Sequence, residues 1–233
     1  MTSKHVVRAF AAALFAVALA GCASNQNVAA QGAGFNWDPS QEKRVAVIQP
    51  DLHLGELTAG GLVEPRADWT KAAQTGIAGQ LNAFFAKRNT AVVLVDNLTD
   101  PHEIQLAKLH GPVGRAVMLH ALYGVKLPNK SQAMDWTLGP GATVLRDHYG
   151  ADYALFIYVN DTYTSAGRAM LMLGASVLGV GISGGQQVGF VSLVDLRTGN
   201  ITWFNVRTDG GGDLRNDSGC KRFVEGILAD LPK

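Results

Sequence analysis

The chain has 233 residues, 20 Lys and Arg against 19 Asp and Glu for a formal charge of +1, and 47% hydrophobic residues. That is enough apolar chain for one sizeable core, and without a long basic run it excludes a chain built to grip nucleic acid. With only Cys22 and Cys220, it also excludes a disulfide scaffold and a Cys-x-x-Cys site.

Lys4 and Arg8 make a positive start, Ala9 to Ala18 a short apolar run, and small residues lead into Leu19-Ala20-Gly21-Cys22. This order of parts is that of a secretory signal, and the run is too short and too Ala-rich for a good membrane span. An ordinary signal peptide with a cysteine near its cut is one reading. The other is carried by Leu-Ala-Gly-Cys, which resembles the lipobox of bacterial lipoproteins. In that group the cysteine sulfur receives a diacylglycerol, the chain is cut before the cysteine, and the new N-terminus is acylated, commonly with palmitate. The resemblance implies a signal peptide over 1–21, Cys22 as the lipid attachment site, and a membrane partner reached by lipid rather than by a span. No cofactor other than the covalent lipid is expected. Loss of the leader leaves 18 basic against 19 acidic residues, a formal charge of −1. Ala23 and Ser24 follow the cysteine with no Asp directly after it; by resemblance to enterobacterial lipoprotein sorting, this favours the periplasmic face of the outer membrane.

Residues 22–41 are polar, rich in Gly, Asn and Gln, and aperiodic, which predicts a flexible tether. A single domain over 42–233 follows. Arg44 to Ile48 is β-branched and predicts the first strand, and Leu52 to Pro65, with Gly55, Gly60 and Gly61, predicts a loop. Trp69, Ala73, Ile77, Leu81, Phe84 and Phe85 recur at helical spacing within 67–88. Ala91 to Val95 predicts a buried strand. Asp100-Pro101 supplies an N-cap and a first-turn proline for a helix that Gly111-Pro112 should interrupt or kink before Val117, Leu119 and Leu122. A loop at 127–131 and a short helix from Gly139-Pro140 to Tyr149-Gly150 come next, with Gly150 as C-cap. Tyr153 to Val159 predicts a central strand. Gln187 to Leu196 and Ile201 to Arg207 predict two strands joined by Arg197-Thr198-Gly199-Asn200, and Asp217 or Ser218 caps a last helix whose apolar face holds Phe223, Val224, Ile227, Leu228 and Leu231. The expected fold class is α/β, a mixed sheet of about five strands with packed helices in the order β-α-β-α-α-β-(insert)-β-β-α.

The lipobox, the tether, the Val-Ala-Val strand, Gly150-Ala-Asp-Tyr-Ala-Leu-Phe-Ile-Tyr158 and Val191-Ser-Leu-Val-Asp-Leu-Arg-Thr-Gly-Asn-Ile-Thr-Trp203 together resemble one group of periplasmic bacterial lipoproteins. It includes the curli secretion channel lipoprotein and its small relatives, whose fold is akin to the N-terminal domain of the translocation protein TolB. The resemblance covers about two thirds of the mature chain and implies that fold. It implies either a ring-forming secretion component or a monomeric accessory factor, and the helices over 104–149 depart from the channel pattern.

No charged residue occurs between Arg168 and Asp195, and Ala169 to Ile182 is apolar and studded with glycine. At 14 residues it is too short to cross a bilayer as a helix. Within the insert at 165–187, Leu171, Leu173, Val177, Leu178, Val180 and Ile182 are the candidate partner or oligomer surface, with Gly174 and Ser176 allowing close approach; burial in the domain's own core and contact with lipid are the other readings. Gly179-Val-Gly181-Ile-Ser-Gly184 spells a dinucleotide fingerprint, but it precedes a strand instead of opening a helix. His102, His110 and His120 are spaced by 8 and 10, wrong for two metal ligands on one turn, so no metal site is expected. Cys220 reads as a small buried residue of the last helix, with an intermolecular disulfide or a reactive thiol as alternatives. Asp147, His148 and Asp161 fall near strand ends, where α/β sites often form. With no catalytic motif present, the expectation is a non-enzymatic, membrane-anchored lipoprotein that serves as a binding or accessory factor in envelope assembly or export. A homo-oligomeric transport component and a periplasmic hydrolase are the alternatives.

Overall fold

The computed structural model describes residues 27–32, 35, 37, 43–88, 90–130, 134–208 and 210–232; Cys22 lies outside them. In chain order the elements are β1 (Asn27–Gln31), β2 (Arg44–Ile48), β3 (Asp51–Leu57), β4 (Val63–Pro65), α1 (Ala67–Ala86), β5 (Ala91–Val95), α2 (Pro101–Val117), α3 (Thr143–Tyr149), β6 (Tyr153–Thr164), α4 (Ala166–Val177), β7 (Gln187–Asp195), β8 (Ile201–Arg207) and α5 (Asp217–Ile227).

The unbroken apolar run at the start of β6 is that of a strand covered on both faces, and β6 is the hub of the sheet. The sheet order is β1-β8-β7-β6-β2-β5, with β3 also on β6 and β4 on β3. Strands β2 and β3 share one edge of β6, β2 opposite Tyr153 to Leu155 and β3 opposite Tyr158 to Thr164, both parallel to it. Pro50, which has no N–H to give to a ladder, lies in the gap between them. Strands β7 and β8 run antiparallel, joined at Asp195 to Asn200, where Gly199 takes φ +78 and the Gly199 N–H donates to the Asp195 carbonyl at 2.7 Å. A Cβ at 199 would stand 1.9 Å from the Gly139 carbonyl oxygen, so the turn needs glycine for space as well as for φ.

Alternation along β6 divides the core. Tyr153, Leu155, Ile157 and Val159 face α1 and α5, meeting Ala73, Ile77, Leu81, Phe85, Phe223 and Ile227. Ala154, Phe156 and Tyr158 face the other way, with Leu106, Val117, Leu145, Phe190 and Phe204. The result is an α/β domain of three layers, helix on sheet on helix. Capping follows the local sequence: Asp100 accepts from the N–H groups of His102 and Glu103, Asn216 from Gly219, and Gly150 ends α3 at φ +60.

Four expectations are corrected. The sheet has eight strands rather than about five. Residues 52–65 are not a loop but the β3–β4 hairpin: Leu52 and Leu54 alternate into the core, while Gly55 leaves room for Val63, whose Cγ1 would lie 2.6 Å from a Cβ there. Five residues of the expected tether form β1, paired antiparallel with β8, which supplies an edge that only the folded sheet offers. Finally, α2 runs through Gly111-Pro112 and on into a π-helical turn over Met118–Leu122. There Pro112 faces solvent, and Gly114 lets the helix lie on Phe190, whose Cε2 would be 2.1 Å from an added Cβ. Packing against the sheet outweighs the missing hydrogen bond.

Candidate functional site

The insert leaves the sheet at Thr164 and returns at Gln187, with Arg168 its one charged residue. Ser165 caps α4 by accepting from the Arg168 N–H at 3.1 Å. Arg168 then folds back: Nε and Nη2 donate to the Ser183 carbonyl at 2.9 and 2.7 Å, and Nη1 to the Thr58 carbonyl at 3.4 Å. Thr164 Oγ1 accepts from Gly185 N and Thr162 Oγ1 from Gln186 N, at 2.8 and 2.9 Å. These bonds close a neck that holds both ends of the insert and the tip of the β3–β4 hairpin. Gly185 is required there, since a Cβ would meet the Thr162 carbonyl oxygen at 1.9 Å.

Beyond the neck, the insert is bare. Leu173 is 64% exposed, Val177 85%, Leu178 81% and Val180 54%, with Met170 and Leu171 also exposed. Ile182 is half-buried, and Arg168 is the single buried residue of α4. Leu62 and Val63 extend the patch from the adjoining hairpin. Twelve large apolar side chains are exposed among the described residues, and eight of them belong to this end. A helix apolar on all sides is stable when covered, and large exposed apolar patches mark contact surfaces. The reading of the insert as part of the domain's own core is therefore overturned: α4 leaves the sheet at the end of β6, where no layer formed by the described residues covers it. Gly174 and Ser176 are exposed with the rest, and Gly179 to Gly184 form the return, opening no helix.

The remaining sequence candidates are not brought together. His110 is buried, pairs with Ser192 Oγ at 2.9 Å and stacks on Phe156; burial lowers its pKa to about 3. His120 Nδ1 lies 2.6 Å from the Val125 carbonyl, and His102 is exposed at the start of α2. Asp147 is exposed, while His148 Nδ1 is 2.7 Å from Glu103 Oε1. Asp161 is buried, accepting from Tyr163 Oη at 2.5 Å and Gln187 Nε2 at 2.6 Å; burial raises its pKa against the pull of both bonds. Tyr163 also accepts from Leu214 N, so this cluster ties the 210–216 loop to the sheet. Cys220 is buried, its thiol donates to the Leu214 carbonyl at 3.3 Å, and burial followed by the charges of Asp217 and Asp213 pushes its pKa up to about 11. No group of three or more His, Cys, Asp or Glu suited to a metal occurs among the described residues.

Sequence reasoning missed Glu103, 1% exposed, which accepts from Tyr149 Oη at 3.0 Å as well as facing His148 and so links α2 to α3. Tyr149 is pushed up to about 12 by burial and then by this carboxylate. No local signal marks Glu103, because its partners lie more than 40 positions away. A groove of about 480 Å³ runs between the β3–β4 hairpin and α1, lined by Leu52, His53, Leu54, Arg66, Thr70 and Gln74.

No protein-family model matches the chain, and no curated protein matches it. Among solved structures it is similar to a PelC dodecamer from Paraburkholderia phytofirmans, at 13% identity over 88% of this chain and 99% of that one, TM-score 0.38. A second crystal form of that PelC dodecamer gives 13% identity, 86% and 97% coverage and TM-score 0.37. Lipoprotein GNA1162 from Neisseria meningitidis is similar at 14% identity over 70% of this chain and 77% of that one, TM-score 0.31. These are distant likenesses, and neither assembly nor role is carried over from them.

Proposed function

We propose that the protein is a non-enzymatic lipoprotein, held by a lipid on Cys22 at the periplasmic face of the outer membrane, whose α/β domain acts as a binding or accessory factor in envelope assembly or export. The observation that carries this reading is the uncovered apolar end formed by α4 and the β3–β4 tip, in a chain whose apolar leader runs into Leu-Ala-Gly-Cys. An apolar surface of this size is kept in order to meet something, and lipid attachment sets where it meets it. The buried polar groups have internal tasks: His110 with Ser192, Asp161 with Tyr163 and Gln187, Glu103 with Tyr149. Confinement to one membrane face raises the effective concentration of domain and partner, so modest affinity suffices.

The test is in-cell photo-crosslinking from exposed positions away from α4, such as Asp147, combined with labelled fatty acid. A lipid-labelled chain with a discrete protein adduct is the expected result. A chain that takes up no label, or yields no protein adduct from any exposed face, sinks the proposal. The exposure of Leu173, Leu178 and Val180 also favours a second reading, a homo-oligomeric transport component joined through the insert.

A further inference from the structure

The register of the sheet relates the apolar end to the chain's N-terminal side. Asn27 pairs with Arg207, Arg207 with Gly189, and Gly189 with Val159. Strand β1 runs away from this level and β6 runs toward the insert, reaching Thr164 five residues later, about 17 Å along the strand. Strand β1 therefore begins toward the end of the sheet that carries α4 and the β3–β4 tip. Cys22 stands five positions before Asn27, and five residues span at most about 18 Å. Three strand spacings separate β1 from β6, about 14 Å. Chain length therefore ties a lipid on Cys22 to within about 18 Å of the start of β1.

We infer that α4, its return through Val180 and the β3–β4 tip form a bilayer-docking surface, lying in the interface of the same leaflet that holds the lipid on Cys22. The inference rests on the anchored reading above and deepens it by naming what covers the apolar end. A bilayer suits the surface on three grounds. Beyond Arg168 the helix is apolar around its circumference, and such a helix is stable only where apolar matter covers it. No charge occurs from 169 to 194, so nothing has to be carried into hydrocarbon. And the 12 residues of α4 make a rod of about 18 Å, too short to span but long enough to lie in the headgroup and acyl boundary. The lipid then holds the chain on the membrane, and the insert adds a second membrane contact. Two-point attachment also fixes the orientation of the domain, with the β7–β8 turn at Arg197 to Asn200 directed away from the bilayer.

The experiment uses the full chain, processed in cells, purified in detergent and reconstituted on vesicles of phosphatidylethanolamine and phosphatidylglycerol. Leu178→Cys carries an environment-sensitive fluorophore on the insert, and Thr198→Cys carries the same label at the opposite end. Cys220 does not compete, being buried. With spin-labelled lipid in the vesicles, position 178 is expected to be quenched roughly twofold or more and blue-shifted, and position 198 to be neither. Adding Leu173→Asp should return the label at 178 to a water-like spectrum while the chain stays on the vesicles. Intact mass reports the acyl groups on Cys22 independently: a chain without them fails the anchored reading whatever the insert does. A lipidated chain whose position 178 is quenched no more than position 198 overturns the docking and spares the anchor. So does an unlabelled Leu178→Cys chain that forms disulfide-linked dimers on oxidation, with the labelled chain showing no lipid quenching.

Discussion

His110 is a histidine that must stay neutral to remain where it is. It lies between Phe156 and Phe190 with Ser192 as its polar partner, and burial holds its pKa at about 3 against an unfolded value near 6.5. Because the folded value is depressed, the unfolded chain binds the proton more tightly between these values. The stabilising contribution is complete above pH 6.5 and is lost as pH falls toward 3. Between pH 7.5 and 4.5 the loss is about 2 to 3 kcal/mol. Urea titrations at these two pH values should show this drop for the natural chain and a much smaller one for His110→Gln, whatever the variant's absolute stability. Gly114 sits one turn further along α2 against the same Phe190 ring, so Gly114→Ala should cost about 1 to 3 kcal/mol by forcing the ring or the helix aside, read as a lower urea midpoint. The three histidines of this region share no site, which their spacing already implied; that one of them is core and the others are not depends on which face of α2 meets β6 and β7.

At the level of elements, the insert and the hairpin beside it are the parts whose roles diverge most from the rest of the sheet. Leu173 and Val180 are 64% and 54% exposed. Leu173→Asp or Val180→Asp should therefore leave the far-ultraviolet spectrum and melting temperature of the detergent-free domain nearly unchanged, whereas the same change at a sheet position such as Leu193 should abolish folding. Arg168→Met removes the donors to Ser183 and Thr58, leaving the neck's carbonyls unpaired. Hydrogen exchange should then accelerate in α4 and the 180–186 return, with β6 and β7 protected as before. The elements themselves were largely readable in the chain. Arg44 to Ile48 and Ala91 to Val95 are strands to the residue, and the caps at Asp100 and Gly150 and the turn at Asp195 to Asn200 stand where local chemistry put them. Residues 51–57 and 27–31 became strands against their composition, because glycine and polar residues there are stabilised by an existing edge of β6 or β8 and not by their own propensity.

For the whole molecule, the decisive arrangement is that β1 begins toward the end of the sheet that carries the bare apolar insert. An anchored, docked protein should remain monomeric when extracted in detergent. Light scattering across a tenfold or so concentration range should give one constant protein mass; a mass that rises to a defined multiple would favour the oligomeric reading instead. The sequence by itself determined the α/β class, the central strand at Tyr153 to Val159, and the existence of a long stretch without charge from 169 to 194, since these depend on composition, periodicity and short-range capping. Whether that stretch is core, and that it lies at the end of the sheet where β1 begins, was decided by the tertiary structure alone. Exposure depends on which layers cover a segment, and adjacency on strand register over more than a hundred residues, and neither is encoded in any local window of the chain.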